Sequence, residues 1–161
     1  SPSYGDHITV YLPAFDHETL CSILSRIPDI KWDVFSPTCS EPFSKGNVKV
    51  NPIGNESFLK SFESCEGLVC SAGFEAPSEA MYLGKKLLVI PIKNQYEQLC
   101  NAVALDKLGV SVIYDITTNM VAQLREWIRS GKIVKLPEIC NEVELIPKIL
   151  RAGLKEREIV I

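Results

Sequence analysis

What most restricts the fold of this chain is an alternation along it: short apolar, β-branched runs take turns with longer stretches of helical period. Residues 7–12 (HITVYL), 31–35, 48–53, 67–70 (GLVC), 87–92 (LLVIPI) and 110–114 read as strands, each a brief apolar run bounded by turn-forming residues. Between most of them, apolar residues recur three and four apart. A strand–helix–strand series needs right-handed crossovers and a parallel sheet covered by helices on both faces. At 161 residues the chain can bury one such core, and no linker or repeat divides it. The expectation is an α/β fold: one domain over residues 1–161, with about six parallel strands.

The helical stretches carry start and stop signals. Asp16 can cap a helix whose apolar face is Leu20, Ile23, Leu24 and Ile27, and Asn55 a shorter one with Phe58, Leu59 and Phe62. A third begins near Ala76-Pro77, where proline's fixed φ suits a first turn, and ends at Gly84. Residues 96–108 are helical by period and stop at Gly109. Residues 118–130 align Met120, Leu124 and Trp127 on one face ahead of Gly131. A last helix is expected over residues 142–154, after a turn at Pro137, with Pro147 able to kink it.

Charge and composition close off several functions. A net charge of −3 leaves no basic field to hold nucleic acid or anionic lipid. The longest apolar runs are far too short to span a bilayer, and no basic start precedes a long apolar stretch as in a secretion signal. Cys21, Cys39, Cys65, Cys70, Cys100 and Cys140 form no Cys-x-x-Cys pair, and most lie in apolar stretches where a thiol acts as a small hydrophobe. They are expected to be structural thiols of a reducing cytoplasm. The two histidines, His7 and His17, build no metal cluster with them, so no metal and no cofactor is expected.

In an open parallel sheet, ligands bind beyond the carboxyl ends of the strands, where strand order reverses. Two strand ends carry residues suited to this. The first is Ser71-Ala72-Gly73-Phe74-Glu75-Ala76-Pro77-Ser78-Glu79. Gly73 permits close backbone approach, and the helix start beyond it offers unpaired N–H groups and partial positive charge, enough for a phosphate without a basic side chain. Glu79, one turn on, can accept two hydrogen bonds from a vicinal diol such as a ribose. The plainer alternative is that Gly73 merely turns strand into helix and Glu79 is surface charge near the dipole. The second is Pro91-Ile92-Lys93-Asn94-Gln95-Tyr96-Glu97-Gln98, leading to Asn101-Ala102. Glu97 and Gln98 can bind sugar hydroxyls; equally, Glu97 can serve the dipole and Asn101 can bond local backbone.

Gly73, Glu79, Gly84, Pro91, Glu97-Gln98 and Asn101-Ala102 stand in one register. That register resembles the donor-binding signature of inverting glycosyltransferases with two Rossmann-like halves. It looks like the C-terminal half of the family that includes the peptidoglycan N-acetylglucosaminyltransferase. Plant natural-product glucosyltransferases carry a related series, and the closest likeness is to an uncharacterised branch with a Gly-Phe-Glu-x-Pro-Ser-Glu run.

The resemblance implies a Rossmann-like domain that binds a nucleotide-diphosphate sugar, a UDP-sugar first, as the C-terminal part of a longer enzyme. Ser71, Ala72, Gly73 and Phe74, with the backbone as far as Ala76, would hold the diphosphate; Glu79 would take the ribose, and Glu97 and Gln98 the sugar. The base would be read by backbone near Asn51 to Gly54. The chain also departs from the pattern. Leu12-Pro13-Ala14-Phe15-Asp16 replaces a Gly-rich turn, Ser71 stands where the plant enzymes have histidine, and Glu75 stands where they have a small polar phosphate binder. A carboxylate about 4 Å from a phosphate repels it by about 4 kcal/mol at an effective dielectric of about 20. Glu75 is therefore expected to point away, towards Lys85 or Lys86.

Inversion by direct displacement needs a general base for the acceptor hydroxyl and stabilisation of the leaving diphosphate. The helix start near Gly73 suits the second task. No residue is offered for the first, since Asp16 and His17 read as a cap and a surface imidazole. The resemblance implies that the base comes from a missing N-terminal domain or partner subunit, which also sets any peripheral membrane attachment. The acceptor is not specified. Two other readings stand: a separate, non-catalytic donor-binding subunit acting with a membrane-anchored partner, and a flavodoxin- or receiver-like binding module.

Overall fold

The computed structural model describes residues 5–115 and 119–135. Its strands are β1 (His7–Tyr11), β2 (Lys31–Ser36), β3 (Phe43–Lys45), β4 (Val48–Pro52), β5 (Gly67–Ser71), β6 (Lys86–Ile90) and β7 (Ser111–Val112). Its helices are α1 (His17–Leu24), α2 (Asn55–Ser64), α3 (Glu75–Tyr82), α4 (Tyr96–Lys107) and α5 (Met120–Ser130). The sheet order is β3-β4-β2-β1-β5-β6-β7, parallel throughout except for β3 on β4. This is the expected Rossmann-like α/β fold with one strand more than the six anticipated. β3 is three exposed residues turned back onto β4 at Gly46, whose φ is 61°. Its one apolar residue, Phe43, is exposed and sets no alternation, and the strand forms because β4 offers an open edge.

The alternation of side chains along each central strand feeds two cores. On one face, α1 and α5 bury Leu20, Leu24, Met120, Leu124 and Trp127 against Val10, Val34, Val69 and Leu88. On the other, α2, α3 and α4 bury Phe62, Ala80, Met81, Ala102 and Leu105 against Leu68, Cys70 and Val89. Each large side chain buried this way contributes about 1.5–3 kcal/mol. Four of the cysteines, Cys21, Cys39, Cys65 and Cys70, belong to these cores as free thiols, and burial pushes the thiols of Cys21, Cys65 and Cys70 up.

Helix ends follow the sequence signals with one exception. The Asp16 carboxylate accepts the Thr19 N–H at 2.8 Å and the Thr19 hydroxyl at 2.9 Å. Gly84 (φ 68°) and Gly109 (φ 97°) close α3 and α4 in the left-handed conformation. After each, paired backbone bonds return to the last turn, Lys85 N–H to Ala80 and Gly84 N–H to Met81 in α3, Val110 N–H to Leu105 and Gly109 N–H to Asp106 in α4. The exception is Asn55, which is the first residue of α2 rather than its cap. Gly54 holds the cap position without any side-chain bond. On that helix Phe58 and Phe62 face inwards one turn apart, while Leu59, next in sequence to Phe58, is 44% exposed. The helix expected over residues 142–154 lies outside the described residues.

Candidate functional site

β1 and β5 are neighbours at the middle of the sheet, and the chain leaves them in opposite directions, to β2 and to β6. Strand order therefore reverses here, and the crevice beyond the carboxyl ends of β1 and β5 is where such a sheet receives ligands. Two loops border it, one from β1 to α1 and one from β5 to α3.

The first loop is closed by its own side chain. Phe15 N–H bonds to the Leu12 carbonyl at 3.0 Å, and Asp16 fills the start of α1. The Thr19 N–H and hydroxyl hold the Asp16 carboxyl below its ordinary range. His17 Nδ1 lies 2.6 Å from the Thr38 hydroxyl, and its ring meets Phe43 edge-on at 5.5 Å. Both residues are thus occupied structurally.

The second loop is open. α3 starts behind Phe74 with no side-chain cap, so the N–H groups of Glu75 and Ala76 have no partner within the helix. Pro77 has no N–H to offer. Gly73 is set apart from the other described glycines. Its φ is not in the left-handed range, and a Cβ built on it would meet nothing within 4 Å, whereas each of the others has a positive φ or a close neighbour. Neither strain nor packing requires glycine there. Ser71 ends β5 half-buried, Ala72 is fully buried, and Glu79 is exposed one turn into α3.

The loop from β6 to α4 flanks this opening and turns at Asn94, whose φ is 63°. Glu97 is exposed in the first turn of α4. Gln98 turns inwards, its Oε1 accepting the Ile92 N–H at 3.3 Å, which leaves its amide N–H₂ to donate. Asn101 donates to the Ala72 carbonyl at 3.0 Å, a bond across 29 residues that spacing alone does not reveal. The loop expected to read a base is reduced to backbone and Ile53. Asn51 is buried and donates to Asp33 at 2.6 Å and to the Val34 carbonyl, while Ile53 is 48% exposed.

The partners expected for Glu75 are a correction. Glu75 is exposed, but Lys85 is buried and donates to the Glu63 and Cys65 carbonyls at 2.7 and 2.8 Å. Lys86 donates to the Ile128 carbonyl at 2.8 Å. The buried ammonium of Lys85 closes the C-terminal end of α2, where carbonyls lack helical partners, so both lysines are drawn to backbone away from α3.

Two cavities lie elsewhere. One of about 680 Å³ opens at the amino ends of β1 and β2, between Asp6, Lys31, Asp33, Asn47 and Lys49; one of about 360 Å³ lies between β7 and α5. Neither includes a residue of the Gly73–Asn101 signature. Among the described residues no group of three His, Cys, Asp or Glu side chains is placed to hold a metal. No described helix is long and apolar enough to cross a membrane.

Residues 1–129 match the sequence profile of glycosyl transferase family 1. No curated protein matches the chain. Among solved structures, the fold is similar to the glycotransferase of kitacinnamycin, at 20% identity and a TM-score of 0.57, over 96% of this chain and 43% of that one. It is also similar to MurG of Acinetobacter baumannii (14% identity, TM-score 0.57, 81% of this chain and 46% of that one) and to ALG13 (13%, 0.57, 92% and 95%). At these identities the likeness is one of fold, and the chain spans less than half the length of the first of them. With its profile match over 129 of 161 residues, the chain belongs to glycosyl transferase family 1.

Proposed function

We propose that this chain is the donor-binding half of an inverting glycosyltransferase. A nucleotide-diphosphate sugar, a UDP-sugar first, lies across the carboxyl edge of the sheet. Its diphosphate meets the Glu75 and Ala76 N–H groups beside Ser71, Ala72, Gly73 and Phe74, where hydrogen bonds and helix dipole stabilise the leaving group without a basic side chain. Glu79 accepts from the ribose hydroxyls, Glu97 and the Gln98 amide take the sugar, and the backbone between Pro52 and Gly54 reads the base. The general base and the acceptor site belong to an N-terminal half that faces this edge, so the chain alone binds donor and turns over little. The free thiols support a reducing compartment.

The observation that carries this reading is Gly73. It is a glycine whose φ lies outside the left-handed range and whose Cβ position is free, next to a helix start that no side chain closes. A ligand against the backbone accounts for both.

A thermal-shift series with UDP, GDP and TDP tests it. Nucleotide at about 100 times its dissociation constant adds roughly 2.7 kcal/mol of stability. A rise in Tm with one nucleotide, lost in Glu79→Ala, supports the assignment and names the base. No rise with any of the three contradicts it.

A separate subunit is the second reading, because the ALG13 chain is matched over 95% of its length. The mass of the protein drawn from its own source separates the two: 17.9 kDa supports the subunit, and a chain twice that size or more supports the fused enzyme.

A further inference from the structure

The two donor-facing loops are built from different strands, yet both are tied to one short stretch of α4. Gln98 holds the Ile92 N–H of the β6 loop, and Asn101, one turn on, holds the Ala72 carbonyl of the β5 loop. Ala72 immediately precedes Gly73, around which nothing packs on the side where a Cβ would stand. Core packing holds Ala72, which is fully buried, while no side chain of Gly73 adds to it on the next residue. The Asn101 amide adds a cross-link from α4 to the backbone just ahead of Gly73. A bond from a half-buried amide to the carbonyl of a fully buried residue is costly to break, because the carbonyl is left without a donor.

We propose that Asn101 is a positioning residue: through the Ala72 carbonyl it holds the backbone at Gly73 to Ala76 where a diphosphate is bound. The proposal rests on the donor-binding reading. It makes the first two turns of α4 the common support of the phosphate and sugar loops, so a displacement of one loop is felt by the other.

The test compares two asparagines with similar local chemistry at opposite ends of the sheet. Asn47 donates to the Ile27 and Ile30 carbonyls at 2.8 and 2.7 Å, at the amino ends of the strands. In the 161-residue chain, Asn101→Ala should weaken binding of the nucleotide selected from UDP, GDP and TDP by about tenfold, the scale of one lost hydrogen bond. It should also move the backbone amide signals of Gly73 to Ala76 in an NMR spectrum taken without nucleotide. Asn47→Ala should lower Tm at least as much while leaving affinity and those signals in place. Asn101→Asp, which cannot donate and brings a charge to the Ala72 carbonyl, should bind no better than Asn101→Ala. Equal loss of affinity in Asn47→Ala and Asn101→Ala overturns the positioning role, because general destabilisation then explains both. Unmoved Gly73–Ala76 signals in Asn101→Ala overturn it too. If the unmutated chain binds none of the three nucleotides, the donor-binding reading fails, and the ligand-free amide signals still decide whether Asn101 places the loop.

Discussion

Helices α1 and α3 begin side by side at the centre of the carboxyl edge, following adjacent parallel strands, and they begin differently. The start of α1 is closed by Asp16, whose carboxylate takes the Thr19 N–H and hydroxyl. The start of α3 is left open behind Gly73 and Phe74, with no side-chain cap and nothing within 4 Å of where a Cβ on Gly73 would stand. The starts of α2, α4 and α5 also lack a side-chain cap. What sets α3 apart is its place at the middle of the sheet and the space beside Gly73. The start of α1 is one helix end that the chain closes with its own groups. The C-terminal end of α2 is the other example, filled by the Lys85 ammonium. On the donor-binding proposal, a ligand's oxygens complete the bonding at the start of α3.

The comparison can be broken at its closed ends or at its open one. The largest effect is expected at α2. Lys85→Met keeps the side-chain volume but strands the buried Cys65 carbonyl and the partly buried Glu63 carbonyl, costing about 2–4 kcal/mol of stability in urea unfolding. A loss below 0.5 kcal/mol, the level of an indifferent surface change, would mean that this end needs no closing. Next comes Gly73→Ala. The new methyl has room, so stability should stay level or rise by about 0.4–1 kcal/mol, while nucleotide binding falls by about 1–3 kcal/mol, roughly 5- to 150-fold. An affinity equal to that of the unmutated chain would show that the space is merely empty.

The smallest effect belongs to α1. Asp16→Ala should lower Tm by about 2–4 °C at neutral pH and leave nucleotide affinity unchanged. The folded-state pKa of Asp16 is depressed, so its contribution is full above the ordinary value of 3.8 and is lost as pH falls through the folded value. The melting temperatures of variant and parent should therefore converge in acid, below about pH 4. A gap that persists there would place the Asp16 contribution outside its charge.

Much of this was legible in the sequence, and what was not has physical causes. The six parallel strands are apolar enough to announce themselves, and Asp16, Gly84 and Gly109 act through local backbone geometry that a single residue dictates. β3 escaped because its three residues have no buried face and form a strand only by borrowing the edge of β4. The loop at Gly73 could be located by spacing, but not its openness, which depends on what the rest of the fold fails to place nearby. Lys85 and Lys86 read in the sequence as the cations Glu75 would turn towards. Helix carbonyls at Glu63, Cys65 and Ile128, brought near only by folding, claim them instead. Asn101 reads in the sequence as a partner of local backbone, and only the fold brings the Ala72 carbonyl, 29 residues away, beside it.

An NMR titration of the backbone amides with UDP, GDP and TDP tests the central claim most directly. The account predicts that one nucleotide shifts the signals of Gly73, Glu75 and Ala76 saturably, with those of His17 and Glu18 at the start of α1 unmoved. Saturable shifts at His17 and Glu18, or only around the cavity at Asp6, Lys31 and Lys49, with Gly73 to Ala76 silent, would contradict it.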